Sequence, residues 1–142
     1  MTIHDAILTL LRTDPTVDQS QPFRVFEADA VDTDTDGDAK VVTVELPYVV
    51  YLPSNPIDGA RVATGETTNE DLEFRLMFVG GTRAQASAAG DRAASRIRGR
   101  APLENAGICR REGSQQIRRE DTYTAPGGAP LFYGIDVYAV TV

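Results

Sequence analysis

Six consecutive residues, Asp32-Thr33-Asp34-Thr35-Asp36-Gly37, put carboxylates at every second position just ahead of a glycine. That is the opening half of an EF-hand calcium loop, in which alternate oxygens converge on the ion and glycine permits the sharp turn. The second half is missing, because the twelfth position is Thr43 where a bidentate glutamate would close the coordination sphere. Strand-forming segments, not helices, flank the run. The same residues read better as an acidic hairpin loop turning at Asp36-Gly37, whose like charges oppose strand slippage and aggregation. Asp32, Asp34 and Asp36 therefore stand as a candidate cation set with a simpler structural reading beside it.

Other reactive side chains are sparse. The chain has one histidine, His4, and one cysteine, Cys109. They cannot form an internal disulfide or a Cys/His zinc site. His4 falls off the apolar stripe of the first helix and reads as a surface residue; Cys109 reads as a small core residue of a short strand. No nucleophile–base spacing is legible, so the sequence predicts no catalytic residue, no metal ligand and no cofactor. Gly80-Gly81 stands at a strand-to-helix junction, as phosphate-binding turns do. It lacks the Lys-Ser/Thr of a P-loop and the third glycine of a dinucleotide site, so a tight turn is expected. Arg110-Arg111 and Arg118-Arg119 suit nucleic acid, a membrane surface or an acidic protein patch. Interleaved aromatic residues are absent near them in the sequence.

The whole chain narrows that choice. It has 142 residues and a net charge of −7. The length predicts one domain over residues 1–142. The acidity argues against nonspecific duplex binding, which depends on Lys and Arg against phosphate, and favours an acidic protein partner for the arginines. No apolar run approaches the ~18–20 residues of a membrane span, and no secretory leader is visible. The charge is split along the chain: residues 1–73 hold fifteen acids and four bases, and residues 74–142 hold six acids and ten bases. Copies with one acidic and one basic surface would pair head to tail; alternatively, folding intermixes the charges.

The elements expected to position these residues follow from periodicity. Thr2 caps a first helix with Asp5 in its first turn, an Ile3/Ile7/Leu10/Leu11 face and a stop at Asp14-Pro15. Residues 23–28 and 40–52 read as strands, the latter broken by Pro47, and their acidic connector makes them look like a hairpin. Residues 70–79 alternate, with Leu72, Phe74, Leu76 and Phe78 on one face. Thr82 and Gln85 form a capping box that starts a second helix, which runs to about Arg98 with Gly99 closing it. Its inner face is Ala86, Ala89, Ala93 and Ile97, with Arg83, Arg92, Arg96 and Arg98 outside. A connector (residues 102–107), a short strand (residues 108–112) and a last strand (residues 131–142) complete the chain. In that strand Leu131, Tyr133, Ile135, Val137 and Ala139 form the apolar set, and Ile135 and Val137 are expected in the core. Residues 53–69 and 113–130 read as long polar loops available for interfaces. The predicted fold is α+β: a single mostly antiparallel sheet with two helices packed on one face.

Several of these segments together resemble a known family. They are Pro47-Tyr48-Val49-Val50-Tyr51, the junction Val79-Gly80-Gly81-Thr82-Arg83-Ala84-Gln85-Ala86, the helix Ala89-Gly90-Asp91-Arg92-Ala93, Arg119-Glu120-Asp121, and Phe132-Tyr133-Gly134-Ile135-Asp136-Val137-Tyr138. The pattern resembles tail terminator proteins of long-tailed phages, especially those infecting actinobacteria. The resemblance implies a structural protein: a small subunit that forms a ring, expected to be a hexamer, on the last ring of the tail tube. Such a ring stops tube polymerisation and joins the tail to the head connector. Its expected partners are copies of itself, the tail tube protein and the connector, with DNA passing through the lumen without specific binding and no membrane involved. The expected place is the tail–neck junction of the virion, reached from the host cytoplasm during assembly. Competing readings are another neck protein or minor tail subunit, and a calcium-dependent module built on Asp32, Asp34 and Asp36.

Overall fold

The computed structural model describes residues 2–12, 24–27, 33–36, 39–42, 46–53, 57–58, 70–125 and 128–141. Helix α1 spans Ile3–Arg12. Thr2 Oγ1 accepts from the Asp5 amide (3.2 Å) and donates to the Asp5 carboxylate (2.8 Å), which also accepts weakly from the Thr2 amide (3.4 Å). These reciprocal bonds hold the first turn and pull the Asp5 carboxyl below its usual range. The face differs by a fraction of a turn from the expected one: Ala6, Ile7, Leu8 and Leu11 are buried, and Leu10 is only half-buried. Residues 13–15, with the expected Asp14-Pro15 stop, lie outside the described residues.

Strands follow as β1 (Arg24–Glu27), β2 (Thr33–Asp36), β3 (Ala39–Val42), β4 (Tyr48–Pro53), β5 (Ile57–Asp58) and β6 (Glu70–Gly80). Helix α2 (Arg83–Ile97) comes next, then β7 (Arg110–Ser114), β8 (Arg118–Thr124) and β9 (Pro130–Thr141). All nine described strands form one sheet in the order β1-β4-β6-β9-β8-β3-β2; β5 also pairs with β6, and β7 with β9. Only β1–β4 and β3–β8 are parallel. This is the α+β arrangement expected, one mostly antiparallel sheet with both helices on the same face. Among the described residues, no helix is long and apolar enough to cross a membrane.

The hairpin expected between residues 23–28 and 40–52 is not formed. β1 lies parallel beside β4, and the chain between them crosses to the far side of the sheet. The acidic run instead supplies a strand of its own: β2 pairs with β3, with Asp36 opposite Ala39. The turn predicted at Asp36-Gly37 reaches residues 37–38, which lie outside the described residues. Pro47 does break the run, since β3 and β4 stand on opposite sides of the β6–β9 pair.

The main core lies under the helices. Leu72, Phe74, Leu76 and Phe78 of β6 are buried as the alternation predicts, together with Val49 and Tyr51 of β4. Ala86, Ala89, Ala93 and Ile97 of α2 cover them. Their small side chains bring the helix backbone close enough that Gly90 meets the Phe78 ring, where an added Cβ would be 3.0 Å away.

On β9 the expected faces are reversed. Gly134 pairs with Phe78, so Asp136 and Tyr138 share the helix side, and both are buried. Ile135 and Val137 are half-buried on the opposite face. The cause is steric: a Cβ at Gly134 would lie 2.7 Å from Cζ of Phe78, so only glycine fits opposite that ring. The other face has a smaller apolar cluster, Tyr48, Val50, Val79, Ala125 and Leu131.

Two further expectations are corrected. Arg96 is not on the outside of α2; it is 3% exposed, and its Nη1 donates to the Leu11 carbonyl. A cation there suits the negative end of α1. Residues 113–130 are not one loop: they contain β8, which is antiparallel to β9 through Arg118–Tyr133, Arg119–Phe132 and Glu120–Leu131. Within residues 53–69 the described part is Pro53, which ends β4, and β5; the remainder lies outside the described residues.

Candidate functional site

The reactive residues are dispersed and occupied. His4 is half-buried, where a surface position was expected, and its Nδ1 shares a 2.7 Å hydrogen bond with the Tyr51 hydroxyl. Cys109 is buried, and burial pushes its thiol up to about 11. It therefore remains a thiol at neutral pH, a poor nucleophile. Asp34 and Asp36 belong to an extended strand in register with β3, a backbone that does not wrap around an ion. Asp32 lies outside the described residues. Among the described residues no cluster of His, Cys, Asp or Glu could hold a metal.

Gly80-Gly81 forms the expected tight junction. A Cβ at Gly80 would be 2.5 Å from the Ala86 amide nitrogen. The Gly81 amide donates to Gln85 Oε1 (2.6 Å), and Thr82 Oγ1 accepts from the Gln85 amide (3.0 Å). Two of the amides that a phosphate would use are thus engaged by the chain's own side chains.

What the topology does assemble is an arginine-bearing sheet edge, with four arginines beside Glu112, Glu120 and Asp121. β7 and β8 lie end to end along the same side of β9. Arg110 reaches Glu112 (3.2 Å), Thr141 (3.3 Å) and Asp71 (4.0 Å). Arg111 turns to the helix side and lies 3.8 Å from buried Asp136. Arg118 and Arg119 are exposed. Their cross-strand partners on β9 are Tyr133 and Phe132, so the structure supplies the aromatic neighbours that the local sequence lacks. Arg83 joins them from the start of α2, its Cζ 5.5 Å from the Phe132 ring centre and its Nη1 donating to the Ile117 carbonyl (3.3 Å). Sequence reasoning found both arginine pairs; it missed their alignment on one edge, which depends on both strands pairing with β9.

The acidic run is drawn toward the same side. β3 pairs with β8 at Lys40–Tyr123 and Val41–Thr124, which leaves β2 as the outermost strand. The acidic β2 therefore stands one strand away from β8, with β3 between them.

No protein-family model matches the chain, and no curated protein matches it at a significant level. The fold and the surface together define an α+β chain with charged sheet edges that no described strand covers.

Proposed function

We propose that this chain is a structural virion subunit that caps a phage tail tube as a ring of identical copies, ends tube polymerisation and presents a joining surface to the head connector. On this reading it is not an enzyme. Its partners are itself, in a hexamer, the tube protein and the connector, and DNA passes through the lumen without specific contacts.

The observation that supports the reading is how the resembling segments fall on the fold. Val79-Gly80-Gly81-Thr82-Arg83-Ala84-Gln85 is the close-packed β6–α2 junction, and Phe132 to Tyr138 is the middle of β9, the strand paired with β6. Two of the segments that carry the resemblance thus build the centre of the subunit, and Arg119-Glu120-Asp121 lies on β8. A chain whose resembling pieces fall largely on scaffold, with its charge on strand edges, suits assembly better than chemistry.

The test is electron microscopy of the purified protein, followed by its addition to polymerising tail tubes. Rings that seat on tube ends and halt growth support the reading. Tubes that grow to the same lengths with and without the protein overturn it.

A further inference from the structure

Resting on the ring reading above, we infer that the arginine-bearing edge of β7 and β8 docks the acidic edge of β2 from a second copy of this chain.

Four described stretches, β1, β2, the two-residue β5 and the β7–β8 line, have a side that meets no other described strand. β1 stands at one end of the order, and α1 closes over it: Arg12 Nη2 donates to the Val25 carbonyl at 3.0 Å. β2 stands at the other end, and its second side meets no described strand. β7 pairs only with β9, and β8 meets β3 only at Tyr123 and Thr124. From Arg110 to Ser114 and from Arg118 to Thr122, the outer backbone therefore faces no described strand. β7 is exposed at four of its five residues.

An unpaired edge offers backbone donors and acceptors to any extended chain, and charged side chains decide which chain is accepted. The two open edges have opposite character. β2 holds Asp34 and Asp36 and no base. The β7–β8 line holds Arg110, Arg111, Arg118 and Arg119 against Glu112, Glu120 and Asp121, and exposed Arg98 and Arg100 precede it, so bases exceed acids along it. Cys109 ties that preceding turn to the strand, through its bridge with Arg98 and its amide's bond to the Arg100 carbonyl (2.9 Å).

Like charges disfavour acidic edge on acidic edge, which excludes a two-fold dimer through β2. On the β7–β8 line bases exceed acids, so the acidic edge is its better-matched partner. That contact is heterologous, so each copy keeps one edge of each kind unused, and repetition closes a ring or extends a filament. Backbone pairing supplies the directional bonds and the charges select the partner.

The experiment uses the full chain and reads mass by sedimentation. Arg118→Glu with Arg119→Glu makes the basic edge acidic; Asp34→Arg with Asp36→Arg makes the acidic edge basic. Each pair alone is expected to weaken self-association by about a hundredfold, because like charges then face each other in the interface. Mixing the two variants restores assembly, since every contact in an alternating ring is again between opposite charges. Amide hydrogen exchange at residues 33–36 and 110–114 slows in the assembly. Circular dichroism confirms that each variant is folded. A wild-type chain that stays monomeric at every concentration overturns the proposal, as do variants that assemble like wild type or a mixture that stays monomeric. Rings that form by another surface and still cap tubes defeat this docking and leave the capping reading standing. Edge pairing without capping does the reverse.

Discussion

Gly134 of β9 lies so close to the ring of Phe78 that a Cβ on it would fall 2.7 Å from Cζ. From the helix side Gly90 approaches the same ring, where an added Cβ would lie at 3.0 Å. Phe78 is thus held between a strand glycine and a helix glycine. Gly134→Ala is expected to cost about 1–3 kcal/mol, the range for overpacking a filled core. Gly90→Ala should cost less, because alanine recovers about 1 kcal/mol of helix propensity and the ring needs to give by only a few tenths of an ångström. Urea unfolding measures both. An unchanged midpoint for Gly134→Ala would show that β9 presents its other face to the helices.

That glycine also explains which parts of the fold were legible in the sequence. β6 has apolar residues on one face and mainly charged ones on the other, so its alternation decides its orientation. β9 has apolar residues at Leu131, Ile135 and Val137 and also at Phe132, Tyr138 and Val140, so alternation decides nothing; the cross-strand register against Phe78 does. β8 was hidden because Tyr123 is the only apolar residue in it. Arg96 looks like a solvent residue until its acceptor, the Leu11 carbonyl, is brought in from the other helix. For the candidate site, both arginine pairs were visible. Their shared edge was not, because the strand order places β9 between β6 and β8.

Phe74 is at the centre of an aromatic row. Its ring lies 5.4 Å from that of Tyr51 and stacks on Tyr138 at 5.5 Å with planes 11° apart. It is fully buried. Phe74→Ala is expected to cost about 3–5 kcal/mol, the sum of lost transfer energy and an unfilled cavity. Phe74→Leu should lose clearly less. Denaturant unfolding of both checks this, and a loss below about 1 kcal/mol for the alanine variant would remove Phe74 from the core.

Asp136 is 3% exposed on the helix side of the sheet. Its Oδ2 is 3.8 Å from Arg111 Nη1, and its Oδ1 has no hydrogen-bond partner among the described residues. Removing the guanidinium leaves a buried carboxylate uncompensated. Arg111→Met should therefore destabilise by about 1–3 kcal/mol. Adding Asp136→Asn removes the charge that causes the penalty, so the double variant should be more stable than the sum of the single losses implies. A thermodynamic cycle from thermal or urea unfolding reads that coupling, and strict additivity would show that the pair does not interact.

Alkaline pH should destabilise the fold through groups that are buried protonated. Burial pushes Cys109 up from 9.0 to about 11, Tyr48 from 10.0 to about 12 and Tyr138 from 10.0 to about 12. Tyr51 shifts in the same direction for the same first reason. Below pH 9 both the folded and unfolded chains keep these protons, and the full stability is present. Above it the unfolded chain releases protons that the folded chain retains, so stability falls as the pH rises toward the folded values. Urea midpoints measured from pH 8 upward should decline beyond about 9, and Cys109→Ala should delay the first part of the decline. A thiol reagent at pH 8 should label Cys109 only after unfolding. Midpoints that stay flat through the alkaline range would mean that these groups are not held protonated.

Assembly, finally, should respond to salt. The arginines of the proposed interface are exposed on β7 and β8, and the acids belong to an edge strand. Attraction between such charges is screened over about 8–10 Å at ordinary ionic strength and over much shorter distances at high salt. Sedimentation across an ionic-strength series should show the assembled fraction falling as salt rises, most steeply where the assembly is only partly formed. Charge-swapped mixtures should also lose assembly as salt rises, because their contacts again join opposite charges. An apolar interface behaves differently, since excluded salts strengthen burial of apolar surface. Assembly that holds constant or grows with salt would move the interface off the β7–β8 edge. It would direct attention to the sheet face away from the helices, where Tyr133, Ile135, Val137 and Met77 are all half-buried.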